Sequence, residues 1–286
     1  MHLINYKMTL QYEGTRYRGW QKQPGVENTI QGKLETLLTR LLGTPVEVYG
    51  AGRTDAGVHA LGQVASFRIP QENLSALKGS LPDDIAGDSR GGMIDEQNDA
   101  QTERLPSKRK AAEDEALFAA LNHYLPEDIA VSRLVRASDR FHARYLTSSK
   151  WYQYRIRTSR VSDVVNRRFL WQYGRELDTE RMKEGAEHLT GCHDFASFCG
   201  LKMKKSTVRT VTQIDISRPD EETIVLDYYG DGFLNHMVRL MTGELVETGA
   251  GNIPPGAIKE MLEHCQKGAA NHTAPASGLT LMEVRY

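Results

Sequence analysis

The chain has little cysteine, no surplus of either charge and no long apolar run, and each shortage narrows what it can be. Three cysteines among 286 residues, Cys192, Cys199 and Cys265, form neither an even disulfide set nor a CxxC pair. They read as reduced thiols of a cytoplasmic protein rather than as a disulfide framework. His188, Cys192, His193 and Cys199 lie close in sequence, but their spacing fits no common zinc finger, and no metal is expected. Lys plus Arg total 36 against 37 Asp plus Glu, so only local clustering could reveal a nucleic-acid partner. No apolar stretch nears the roughly 20 residues needed to span a bilayer. The opening residues, Met1–Lys7, lack the basic start and apolar core of a signal peptide, so no membrane role is expected. A dinucleotide fingerprint and a P-loop are both missing, which argues against redox and nucleotide-driven chemistry and leaves no cofactor to expect.

What is present begins with strand and helix patterns. Ile4, Tyr6, Met8, Leu10 and Tyr12 alternate with polar residues, the period of a half-buried strand. Asn28 and Gln31 read as a capping box for a helix whose Ile30, Leu34, Leu37, Leu38, Leu41 and Leu42 share one face, ended by Gly43. Strands are expected at Val46–Tyr49, Gln63–Arg68, Trp151–Arg157, Val211–Ile216, Ile224–Tyr229 and Thr280–Tyr286. Asp178 caps another helix, Asp231–Arg239 opens a further one, and Ile258, Met261 and Leu262 mark a short one. Strands alternating with amphipathic helices predict an α+β or α/β fold. Residues 83–115 are rich in glycine and charge and poor in large apolar groups, so they read as a mostly disordered insertion. A helix over Ala116–Tyr124 follows. Leu81–Ala86 nearly recurs as Leu125–Ala130.

Two features carry chemistry. Between two expected strands lies Ala51-Gly52-Arg53-Thr54-Asp55-Ala56-Gly57-Val58-His59, which places a carboxylate on a glycine-flanked loop with a guanidinium two residues before it. A nearby cation favours the charged form of an acid, and an ionised Asp can serve as a nucleophile; the same pair could simply brace a turn. The second feature is hidden by the overall balance. From Arg133 to Arg168 there are ten Arg or Lys against Asp139 and Asp163 only, interleaved with Phe141, His142, Tyr145, Trp151, Tyr152 and Tyr154. Clustered cations attract phosphates and aromatic faces receive unstacked bases. Glu13–Gln21 mixes Arg16 and Arg18 with Tyr17 and Trp20 in a similar way, and Lys202, Lys204, Lys205 and Arg209 form a further cluster.

The run Ala51–His59, continued by Gly62-Gln63-Val64, resembles the signature loop of the TruA family of tRNA pseudouridine synthases. Phe141-His142-Ala143-Arg144-Tyr145 and the segment His236–Arg239 are similar to further family segments, and Leu279 matches an apolar residue lining the family's uridine pocket. This resemblance implies two related α/β domains with mainly antiparallel sheets flanked by helices, spanning 1–137 (with the Asp55 loop) and 138–286, with the active-site cleft between them. It implies conversion of uridine to pseudouridine at positions 38, 39 and 40 in the anticodon stem-loop of tRNA. Asp55 would be the nucleophile. Arg53 would fill the space left by the everted nucleotide, Tyr152 and Leu279 would clamp its base, and Arg239 would pair with Asp55. Phe141, His142, Ala143, Arg144 and Tyr145 would contact RNA, and Lys202, Lys204 and Lys205 more loosely so. A cytoplasmic homodimer sharing one tRNA is implied as well. The rival expectation is a non-catalytic tRNA-binding protein or RNA chaperone of the same fold.

Overall fold

The computed structural model describes residues 3–77, 108–201, 206–265 and 268–286. Its secondary structure is mixed, with mostly antiparallel strands and six α-helices among the described residues. The chain divides into two compact units: Met1–Tyr12 with Trp20–Gly52 and Gln63–Leu146, and Glu13–Gly19 with Arg53–Gly62 and Thr147–Tyr286.

In the first unit, β1 (Leu3–Tyr12) pairs antiparallel with β4 (Ile129–Ala137), with an irregularity between Thr9 and Leu10. β1 also neighbours β3 (His59–Pro70), against which β2 (Val48–Gly50) lies antiparallel, Val48 opposite Phe67. The alternating residues of β1 do what their period demands: Tyr6, Met8 and Leu10 are fully buried, and the Tyr6 ring stacks on Phe67 with centroids 5.3 Å apart. Helix α1 (Ile30–Leu42) covers this face through Ile30, Leu34 and Leu38, and Gly43 ends it in the left-handed conformation, φ 66°. Its cap is Thr29 rather than Asn28, with the Thr29 hydroxyl accepting from the Gly32 N–H at 3.2 Å. Gln31 works elsewhere: its carbonyl accepts from Lys22 N and Gln21 Nε2, and its amide donates to the Val48 carbonyl, tying helix, loop and β2 together.

Helix α2 (Gln71–Leu77) is followed in the described chain by α3 (Lys108–Tyr124). Residues 83–107 of the expected insertion lie outside the described residues, but 108–115 are helical. The reason is local charge. Arg136 Nε donates to both oxygens of Asp114 at 2.9 Å, Arg136 also meets Glu113 at 3.5 Å, and the Tyr6 hydroxyl donates to Asp114. Acids that look like solvated filler in sequence therefore fasten the first turns of a helix to the sheet.

In the second unit the strand order is β10 (Leu279–Arg285), β5 (Ser149–Arg157), β9 (Thr223–Gly230), β8 (Val208–Asp220), β7 (Gly191–Asp194), each antiparallel to its neighbour. β6 (Trp171–Gln172) adds a short parallel pairing to β5, and His59 and Ala60, the first residues of β3, pair parallel with Thr280 and Leu281. Tyr152, Tyr154 and Ile156 point to the buried face of β5. Helices α4 (Thr179–Leu189), α5 (Met237–Gly249) and α6 (Gly256–His264) complete the unit. Asp178 caps α4, accepting from the N–H groups of Glu180 and Arg181, a contact worth about 1 kcal/mol. Almost all of α5 is buried, and its Thr242 hydroxyl bonds the Tyr228 hydroxyl of β9 at 2.8 Å. That helix starts at Met237; Asp231–His236 precede it as irregular chain, a difference that matters for the site.

Candidate active site

Asp55 sits in a turn immediately ahead of β3, and this loop clusters with the second unit. The Val58 N–H donates to the Asp55 carbonyl at 3.2 Å, and Gly57 has φ +80°, the third position of a type II turn, where glycine avoids a Cβ clash. The Gly57 N–H donates to Tyr17 O, and Gly19, also at positive φ, lies so close to the Thr54 carbonyl that a Cβ there would be 2.7 Å from it. Glycines at 19 and 57 thus let two loops pack backbone to backbone and present the Asp55 side chain, 18 % exposed.

Three side chains meet that carboxylate. Arg239 Nη1 donates to Oδ2 at 3.3 Å, Asn235 Nδ2 donates to Oδ1 at 3.3 Å, and His236 Nε2 stands 3.6 Å from Oδ2. All come from one short segment. His236 adopts φ 61° at the entrance to α5, an uncommon conformation for a residue with a side chain. This sharp bend turns Asn235 and His236 toward Asp55 before the helix begins, and Arg239 follows in its first turn. Arg239 is 15 % exposed and its Nε donates to the Ala274 carbonyl at 2.8 Å. The guanidinium therefore has two fixed acceptors, one on each edge, the geometry in which its planar fork loses least freedom.

The other expected residues divide. Leu279 (4 % exposed) and Tyr152 (7 %) are buried on adjacent strands, Leu279 opposite Tyr154 and Leu281 opposite Tyr152. The Tyr152 ring meets Phe233 edge-on at 5.3 Å. Tyr154 donates to the Pro275 carbonyl at 2.7 Å, and burial pushes its hydroxyl well above the ordinary phenol range, so it stays protonated. Arg53 is exposed, and the cation that meets Asp55 is instead Arg239, with the His236 imidazole alongside. His59, four residues after Asp55, is buried and accepts from the Gly14 N–H on Nδ1 at 3.0 Å. Burial holds its imidazole below the usual histidine range.

Phe141, His142, Ala143, Arg144 and Tyr145 belong to the first unit. Ala143 is buried and its N–H donates to Ser66; Arg144 and Tyr145 are exposed. The His142 ring lies 4.4 Å from Tyr145 and 5.0 Å from Tyr49, so three rings form a ladder, with Tyr145 76 % exposed at its end. Burial, then the guanidinium groups of Arg144 and Arg68, hold the His142 imidazole below its usual range. Lys202, Lys204 and Lys205 lie outside the described residues.

Sequence reasoning named Asp55 and Arg239 but passed over Asn235 and His236 as partners. Both were in plain view in the segment Asp231–Arg239; what hid them was the assumption that this segment is already helix.

A mixed fold thus presents one carboxylate among a guanidinium, an amide and an imidazole, an arrangement found where acid groups do chemistry. Comparison with known proteins specifies it. The family model described as tRNA pseudouridine synthase matches residues 8–89 and 186–286. "tRNA pseudouridine synthase A 2" of a Bacillus cereus strain is 35 % identical over 283 residues, 99 % of each chain. "tRNA pseudouridine synthase A" of Moorella thermoacetica is 39 % identical over 282 residues, 98 % of each. "tRNA pseudouridine synthase A 1" of Clostridium tetani is 38 % identical over 283 residues, 99 % of each. The chain belongs to the tRNA pseudouridine synthase family and is an isomerase.

Proposed function

We propose that this protein converts uridine to pseudouridine at positions 38, 39 and 40 in the anticodon stem-loop of tRNA, with Asp55 as the nucleophile. The observation that carries the reading is the carboxylate of Asp55, held by Arg239 and Asn235 on a loop that projects it from the sheet. A base in a stem must leave the helix before a side chain can reach it. Tyr152 and Leu279 clamp the everted base, and exposed Arg53 follows the RNA backbone into the vacated space. Asp55 then attacks, the bond from N1 of uracil to C1′ breaks, and the ring turns so that C5 bonds to C1′. The C5 proton leaves to solvent, N1 takes up a proton, and Asp55 is released unchanged. No atom is gained or lost overall, so no group donor is consumed.

Support for the RNA side comes from the ladder Tyr49–His142–Tyr145 beside Arg68 and Arg144. Flat rings and guanidinium groups suit single-stranded bases and phosphates. The family likeness further suggests a cytoplasmic homodimer; among the described residues no helix is long and apolar enough to cross a membrane. The deciding experiment incubates the protein with unmodified tRNA bearing uridine at 38, 39 or 40 and chromatographs the digested nucleosides. Product from the wild type but not from Asp55→Asn is expected. RNA binding with no product from the wild type would leave a silent binding protein as the better reading.

A further inference from the structure

Glu244 lies inside α5 with its side chain fully buried, two turns from the catalytic end of the helix, and the chemistry above makes no use of it. Its Oε1 accepts the backbone N–H groups of Asn271 (2.8 Å) and His272 (3.0 Å), and its Oε2 meets His272 Nδ1 at 3.0 Å. A buried carboxylate is tolerable only with such partners. The segment beginning at Asn271 is therefore bound tightly to the helix. Gly243 marks how close it comes, since a Cβ there would lie 1.7 Å from the His272 carbonyl oxygen.

Two residues beyond His272 the same segment reaches Arg239. The Ala274 carbonyl accepts from Arg239 Nε at 2.8 Å, while the Ala274 N–H donates to the Arg239 carbonyl at 3.0 Å. Pro275 then accepts from Tyr154, and Ser277 donates to the Leu170 carbonyl, before β10 starts at Leu279. Arg239 has a long flexible stem and could hold many rotamers. With Nε fixed on Ala274, its Nη1 is left aimed at Asp55. We infer that Glu244, together with His272, is a positioning clamp: it sets the 271–274 segment so that Ala274 locks the guanidinium that pairs with Asp55. This rests on the reading that Asp55 and Arg239 carry the isomerisation.

The clamp makes separable demands. Glu244→Ala is expected to lower kcat at least tenfold while KM for tRNA stays within threefold. Glu244→Gln should return kcat to within threefold of wild type, because its amide oxygen still accepts both N–H groups. In an Arg239→Ala background Glu244→Ala should cost less than a further twofold, since residues acting through one another are not additive. A folded Glu244→Ala protein with wild-type kcat overturns the clamp, as does a full multiplicative loss beside Arg239→Ala. Should Glu244→Ala fail to fold, Gly243→Ala keeps the carboxylate but drives a methyl group into the His272 carbonyl. It should show the same kcat loss, and wild-type kcat in that variant overturns the proposal equally. Hydrogen exchange at Arg239 Nε, read by NMR without any substrate, separates this idea from the reaction assignment. Exchange at least tenfold faster in Glu244→Ala or Gly243→Ala supports the clamp even if no pseudouridine forms; unchanged exchange sinks it even if pseudouridine does.

Discussion

Replacing Arg239 by alanine tests the central pair most directly. The change removes a cation 3.3 Å from Asp55 Oδ2 in a site where the two side chains are only 15 % and 18 % exposed. At an effective dielectric of about 20 the bare attraction at that distance is about 5 kcal/mol. Much of it is offset, because water enters the space and because Asn235 and His236 continue to face the carboxylate. A net loss of about 2–3 kcal/mol is expected in the transition state, where the position of the Asp55 oxygens decides the barrier. That corresponds to a fall in kcat of roughly 30- to 150-fold, with tRNA affinity within threefold of wild type. Arg239→Lys should recover little, since one ammonium group cannot reach both Ala274 O and Asp55 Oδ2 from the positions that Nε and Nη1 occupy. The assay is single-turnover conversion of uridine-bearing tRNA, resolved by chromatography because substrate and product have the same mass. Turnover within threefold of wild type, or a loss confined to binding, refutes the reasoning.

Further expectations follow from other parts of the molecule. Gly57→Ala puts a side chain at φ +80° with its Cβ 3.2 Å from that of Ala276; a loss of about 1–2 kcal/mol should appear as a lowered unfolding midpoint, and an unchanged midpoint would show the turn is not held as described. His59 is kept neutral by burial, its folded pKa lying below the unfolded value. Its contribution is therefore complete above about pH 6.5 and is lost as the pH falls below that, when only the unfolded chain takes up the proton. His59→Gln should flatten that part of a stability-against-pH curve, and an identical slope in the variant would exclude His59 as its source. Tyr145→Ala should weaken tRNA binding about fivefold or more, the lower end expected for one lost stacking partner, with kcat unchanged; equal affinity would remove the ring ladder from the RNA surface.

Much of this arrangement is legible in the chain before any coordinates. The alternation of β1, the apolar stripe and Gly43 stop of α1, and the Asp178 cap follow from local rules, because each is decided by residues a few positions apart. The errors arise where distant partners decide. Residues 108–115 read as solvated charge until Arg136 and Tyr6 are brought against Glu113 and Asp114. Asp231–His236 read as helix until the positive φ of His236 is known. Spacing alone offers Arg53 as the companion of Asp55; Arg239, which the family resemblance implies, is the cation that meets it, from 184 positions away. Asp55 stands early in the chain and its partners Asn235 and Arg239 far later, yet the loop clusters with them in one compact unit.

The segment from Asn271 to Gly278 has a consequence for how the protein comes into being. Arg239 is anchored by Ala274, 35 positions further along, and Leu279 enters with β10, later still. A ribosome would have released Asp55 long before the groups that orient its partner exist. The growing polypeptide therefore carries an incomplete centre, and competence arrives abruptly, once the stretch that holds Ala274 and β10 has been made.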